Sequence, residues 1–226
     1  IFTYRREVVE ILGVRLALND SRISNRMRYV LCKGYEIDDA LVVKQLISDN
    51  DRVLECGSSI GFLSLYATKI VGVKYYAMVE ANSELLGLVD KNYFLNNVEK
   101  AGPWLNYAVC ATDCELDFGV NKNFWSSSVV GRPGVCKTVK VLGRTLESIV
   151  SSLEFIPNIL IMDIEGSEVD IPVSHFKIFD KIIMEVHPKI SGKKRVDDFI
   201  RTLLTEGYQV ACQRGRTFGL VRVSGI

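Results

Sequence analysis

From about residue 52 onward, short apolar runs alternate with segments whose apolar residues recur at helical spacing. Arg52-Val-Leu-Glu55 reads as a first buried strand, and Gly61 to about Val71 as a helix with Phe62, Leu65, Tyr66 and Ile70 on one face. Tyr75 to Glu80 is a second strand, followed by a helix from Ser83, whose hydroxyl suits an N-cap. Trp104 to Val109 reads as a third strand, with two more at Ile159–Asp163 and Lys181–Glu185. A helix from about Lys194 to Glu206 is stopped by Gly207 at the position after its cap. Tyr208–Cys212 and Thr217–Arg222 then form an antiparallel hairpin around Arg214-Gly215. This is the pattern of an α/β fold with a mostly parallel sheet covered by helices. Residues 1–35 precede the array and are expected as an N-terminal extension or lid, with 36–226 as one domain.

The 226 residues, 48% hydrophobic and 24% charged, have the make-up of an ordinary globular domain. A chain of this length should bury roughly 70–75% of its unfolded surface, so it needs no disulfide or metal staple. No apolar run approaches the roughly 18–20 residues that cross a bilayer, and no secretory leader is recognisable after Ile1. The six cysteines have no CxxC pair, which argues against a zinc site and for reduced thiols in a cytoplasmic protein. Net charge is +1, against a dedicated nucleic-acid binder. The charge is uneven: +4 over residues 1–35, −7 over 36–120 and +4 over 121–226. An acidic centre fits a cationic or hydroxyl-rich ligand better than a phosphate, although solvated surface accounts for the same numbers.

The most informative stretch is Glu55-Cys-Gly57-Ser-Ser59-Ile-Gly61-Phe-Leu-Ser-Leu65. A buried strand ends in an acid, a glycine turn follows, and an amphipathic helix begins. Glycines there let backbone approach a ligand and take up conformations closed to other residues. Glu80, 25 residues after Glu55, ends the second strand, where an acid accepts hydrogen bonds from ribose hydroxyls. The spacing is GxxxG, not the pyrophosphate-cradling GxGxxG, and an acid at Glu55 repels pyrophosphate while attracting an ammonium or sulfonium group. A plain turn remains the bland alternative.

Asp163-Ile-Glu165-Gly166-Ser-Glu168 sets three carboxylates at the end of an apolar strand, where burial is costly unless something binds them. Helix-dipole stabilisation is the competing account, and it suits Glu168 better than Asp163. Glu185-Val-His187 places an acid and an imidazole on one side of the next strand, with His187 able to act as a general base or as a satisfied structural residue.

Together these segments resemble the FkbM family of S-adenosylmethionine-dependent methyltransferases. Its acid-Gly-Ala-Asn-Ile-Gly-Tyr-Phe-Ser-Leu motif is similar to Glu55–Leu65, its acid-Pro-Asn with a later Leu and Asn to Glu80-Ala-Asn82 and Leu88–Asn92, and its Lys-Ile-Asp-Val-Glu-Gly-Ala-Glu to Ile161–Glu168. Its Glu-x-His is similar to Glu185-Val-His187, and its Tyr-Glu and Ala-Val-x-Asp runs to Tyr35-Glu36 and Ala108-Val109 with Asp113. The likeness covers roughly residues 34–190. Ser59 stands for the usual Asn, Ala81 for Pro and Ile161 for Lys.

The resemblance implies a Rossmann-like class I methyltransferase sheet with helices on both faces, and O-methylation of a sugar or related hydroxyl in glycoconjugate or secondary-metabolite assembly. It implies S-adenosyl-L-methionine held by Glu55, Gly57, Ser59, Gly61, Glu80, Asn82 and Asp113, with Asp163, His187 and Glu185 as catalytic candidates. Tyr35, Glu36, Trp125 and Glu165 would meet a small-molecule or glycan acceptor. No residue is singled out as a metal ligand, although the carboxylates could instead hold a divalent metal that acidifies the hydroxyl. No nucleic-acid partner is expected, and the oligomeric state is open. The rival readings are a catalytically silent cofactor-fold binding protein and an NAD-linked oxidoreductase.

Overall fold

The computed structural model describes the backbone of residues 6–121, 128–129 and 135–223. A hairpin of β1 (Val8–Ile11) and β2 (Val14–Ala17) precedes helices α1 (Asn25–Gly34) and α2 (Ile37–Leu46). Then come β3 (Arg52–Cys56), α3 (Phe62–Tyr66), β4 (Tyr75–Val79), α4 (Leu86–Asn96) and β5 (Trp104–Leu105). A second sheet is built from β6 (Ala108–Val109), β7 (Cys114–Asn121), β8 (Ser128–Val129) and β9 (Val135–Arg144). The chain continues through α5 (Leu146–Ser151), β10 (Ile159–Met162), β11 (Lys181–Glu185), α6 (Pro188–Ser191) and α7 (Lys193–Thr205). It closes with β12 (Tyr208–Arg214) and β13 (Thr217–Arg222).

The main sheet has the order β12-β13-β11-β10-β3-β4-β5. Strands β11, β10, β3, β4 and β5 are parallel, and β13 runs antiparallel to both its neighbours. Chain order reverses between β3 and β10, so their carboxyl ends flank the crevice where open α/β sheets bind ligands. Both faces of the sheet are covered, and period-two alternation divides its side chains between them. Val53, Met78, Ile161 and Ile183 pack with the N-terminal hairpin and α1–α4. Leu54, Cys56, Ala77, Leu160 and Met184 pack on the opposite face, which α7 covers with Val196, Phe199 and Leu203. Burial on both faces is why these strands read as continuous apolar runs.

Helix α7 and the closing hairpin lie where the residue pattern puts them, with Gly207 at φ +93° after the helix. Three features differ from expectation. The segment Trp104 to Val109 is two short strands, because Asn106 turns inward to donate to the carbonyls of Glu80 and Ala81 and the chain then passes to the second sheet. The helical segment after residue 82 is capped by Asn82, whose Oδ1 accepts from Glu84, rather than by Ser83. The long ribbon β7–β9 has no counterpart in the sequence reading. As for the segment expected to be an extension or lid, its Leu16, Leu18, Met27 and Leu31 are fully buried in the same core as β3.

Candidate functional site

The parallel strands end in register, which brings Glu55, Glu80, Asp163 and Glu185 to one edge of the sheet. Between β3 and α3 the chain turns through Gly57 (φ +89°), Ser59 (φ +48°) and Gly61 (φ +76°). The N–H groups of Gly57 and Ser58 donate to the Val79 carbonyl, and Asp163 N–H donates to that of Cys56. Gly57 is required by packing: a Cβ there would lie 1.8 Å from the Asp163 carbonyl oxygen. Ser59 occupies a left-handed conformation that asparagine adopts more readily, a physical reason for Asn at that place in the FkbM motif.

Glu80 is held from two sides. Its Oε2 accepts from Ser59 N–H at 2.9 Å and its Oε1 from Asn82 N–H at 2.8 Å. Burial raises its carboxyl above the usual range, against the pull of these backbone donors. Glu55, 3% exposed, is pushed up to about 8 by burial; the Tyr76 hydroxyl opposes this without closing a hydrogen bond of ordinary geometry, and nearby Glu80 adds to it. Tyr35, at the end of α1, brings its hydroxyl to 3.3 Å from Ser59 Oγ, and its ring packs beside Phe62.

The other half of the site is a ring of acids around His187. The imidazole is 3% exposed, fixed where its carbonyl accepts from Ile190 and Ser191 at the start of α6. Its Nε2 lies 3.5 Å from Asp163 Oδ1 and 3.8 Å from Glu165 Oε2, and its Nδ1 lies 3.3 Å from Glu168 Oε1. Burial lowers the imidazole pKa, but Glu168, Glu165 and Glu185 outweigh it and raise the ring above its ordinary value. Asp163 is held well above the carboxylate range by burial and then by Glu185, Glu165, Glu36 and Glu168. Glu185 is raised by burial and Asp39, against the pull of His187 and of Arg216, with which it is ion-paired.

Asp163, Glu185, Glu55, Glu36 and Asp39 share one cavity of about 10 Å3, room for about one water. Beside it runs an open groove of about 310 Å3 lined by Glu36, Asp38, Asp39, Glu185 and Arg216. Glu36 has φ +49°, and burial followed by Asp39 raises its carboxyl.

Two expected site residues have their polar groups engaged elsewhere. Asn82 serves as a cap. Asp113 is exposed, and its carboxylate accepts from Thr145 N–H and Ser148 Oγ at the start of α5. Trp125 lies outside the described residues. Two residues that carried no site role join it. Glu168, for which helix-dipole stabilisation was the competing account, is 1% exposed; its Oε1 accepts from Ile164 and Gly166 N–H, shaping the loop around Glu165 while facing His187. Its place in the Asp-x-Glu-Gly-x-Glu run was the available signal. Asp39, which accepts from Thr217 Oγ1, sits in no motif.

No protein-family model matches the sequence, and no curated protein is a significant match. Among solved structures, a methyltransferase FkbM from Methylobacillus flagellatus KT aligns with a TM-score of 0.53 and 16% identity, over 77% of this chain and 44% of that one. An rRNA methylase from Streptococcus thermophilus aligns at 0.51 and 7%, over 82% and 94%. Trm5b from Pyrococcus abyssi aligns at 0.50 and 12%, over 95% and 54%. The chain spans less than half the length of the FkbM structure. At such identities the likeness is one of fold: a Rossmann-like α/β sheet of the kind these three structures have.

Proposed function

We propose that this chain binds S-adenosyl-L-methionine at the carboxyl edge of β3 and β4 and transfers its methyl group to a hydroxyl of a small-molecule or glycan acceptor, as a cytoplasmic member of the FkbM family. The observation that carries the reading is the Glu80 carboxylate, fixed by Ser59 and Asn82 N–H at the mouth of the Gly57–Gly61 turn. Each of its oxygens keeps a lone pair for a ribose hydroxyl. Glu55 gives the same edge a second carboxyl, whose ionised form a cationic methionine end would favour and a pyrophosphate would not.

In this reaction the acceptor oxygen attacks the methyl carbon, the carbon–sulfur bond breaks, and S-adenosylhomocysteine, a methyl ether and a proton result. The sulfonium supplies the reactivity, so holding the acceptor close and in line can contribute up to about 7–11 kcal/mol. Asp163, His187 and Glu185 lie close together at the carboxyl edge, which supports reading them as the groups that would activate the acceptor hydroxyl. The acidic groove through Glu36, Asp38 and Asp39 favours an uncharged or cationic acceptor over a phosphate backbone, unlike the RNA-directed proteins of similar fold.

Calorimetric titration with S-adenosylmethionine, S-adenosylhomocysteine and NAD tests the cofactor, and label transfer from the methyl-tritiated cofactor to hydroxylated sugars or to tRNA tests the acceptor. Binding of NAD alone would overturn the reading. Label in tRNA but not in sugars would overturn its acceptor half.

A further inference from the structure

We propose that Asp163, Glu185 and His187 form a binding site for one divalent transition-metal ion of the Mn2+ or Zn2+ type. One ligand atom from each residue lies within 4.8 Å of the others. Ligands on opposite sides of an ion with bonds of about 2.1–2.4 Å are about 4.2–4.8 Å apart, so the three need little movement to close on one. An imidazole among carboxylates favours such ions over Mg2+ or Ca2+.

Two observations independent of the clustering point the same way. Asp163 Oδ1 is buried without a hydrogen bond among the described residues, although His187 Nε2 faces it at 3.5 Å. An imidazole and a carboxylate that oppose each other too far apart for a hydrogen bond leave the spacing of a shared ion. Glu55, 97% removed from solvent, lines the cavity beside Asp163 and Glu185 with an Oε2 that also has no hydrogen-bond partner among the described residues.

The surroundings of His187 fit a ligand. Metal-bound histidines direct their second ring nitrogen at a carboxylate or carbonyl that fixes the ring. Here Glu168 Oε1, anchored by Ile164 and Gly166 N–H, lies 3.3 Å from Nδ1 without the alignment of a hydrogen bond, so a small turn of the ring would join them, and Nε2 faces Asp163. The ion's use, holding and acidifying the acceptor hydroxyl, rests on the methyl-transfer reading. Its binding does not.

The test is titration of the metal-stripped full chain with MnCl2 and ZnCl2, without cofactor, read by calorimetry and by electron spin-echo spectroscopy of bound Mn2+. One ion per chain is expected, with nitrogen modulation from a directly bound imidazole. His187→Gln should abolish the modulation, and Asp163→Asn should weaken binding by about 10–100-fold while circular dichroism confirms the fold. No stoichiometric Mn2+ or Zn2+ would overturn the site, as a carboxyl pair sharing a proton would give. Nitrogen modulation unchanged in His187→Gln, or preferential binding of putrescine, would also overturn it. Cofactor binding without metal would sink this inference alone, and metal binding without cofactor would sink the methyltransferase reading alone.

Discussion

A side-chain carbon on Gly57 would fall 1.8 Å from the backbone oxygen of Asp163. The turn after β3 and the end of β10 thus touch through main chain, and this contact draws the proposed cofactor loop up against the acids of the neighbouring strand. Gly57→Ala must both hold φ near +89° and displace that carbonyl. It should destabilise the fold by more than the about 1–3 kcal/mol of left-handed strain alone, and disturb Asp163 as well. Urea denaturation measures the first effect; a variant as stable as the parent would show that the two strand ends are not in contact.

Glu80 offers the most direct check on cofactor binding. Glu80→Ala should weaken binding of S-adenosylhomocysteine by about 1–3 kcal/mol, roughly 5–150-fold in Kd, by removing the ribose acceptor and leaving Ser59 N–H unpaired. Calorimetry with the folded variant reads this, and an unchanged Kd would remove Glu80 from the site.

Asn92 links three parts of the chain from within α4. It accepts from Ala17 N–H at 2.9 Å and donates to the Ile60 carbonyl at 2.9 Å, tying the N-terminal hairpin and the glycine turn to one helix. Asn92→Ala strands both buried groups and should cost about 1–3 kcal/mol. The shift of the urea midpoint at constant slope gives the value. A cost within error of zero would mean that water replaces the amide.

Acid sensitivity should trace to Asp51. Its carboxylate accepts from Ser48 and Asn158 and pairs with Lys181 Nζ at 3.0 Å. Burial pushes its pKa up, but these donors prevail and hold it below the ordinary value. A carboxyl with a depressed folded pKa contributes stability above its unfolded value of about 3.9 and loses it as pH falls through the folded one. Between about pH 5 and 3, the parent should therefore lose more stability than Asp51→Asn. Parallel curves for the two proteins would show that Asp51 makes no such contribution.

The residues at strand ends were legible because strand ends are local. A run such as Ile159–Met162 must be buried on both faces, and the acid that follows it has to emerge at the carboxyl edge. Glu55, Glu80, Asp163 and Glu185 could therefore be assigned to one edge before any coordinates. Asp113 and Asn82 show the limit of that logic. Each is a short polar side chain after a strand, and such residues cap helices as readily as they bind ligands. Only the tertiary structure shows the partners their side chains have here, Thr145 and Ser148 for one and Glu84 for the other.

Hydrophobic periodicity and punctuation by glycine determined the sheet, its covering helices and the closing hairpin, because each depends on residues within a few positions of one another. Tertiary structure decided what depends on distant segments meeting. It passed the chain at Asn106 from one sheet to the other, drew the β1–β2 hairpin and α1 into the core through Leu16, Met27 and Leu31, and brought Asp39 toward Glu185. It also turned Glu168 inward to face His187. The cost of burying a carboxylate is met by partners that can lie anywhere along the chain, so no local pattern records which acid will be buried or beside what.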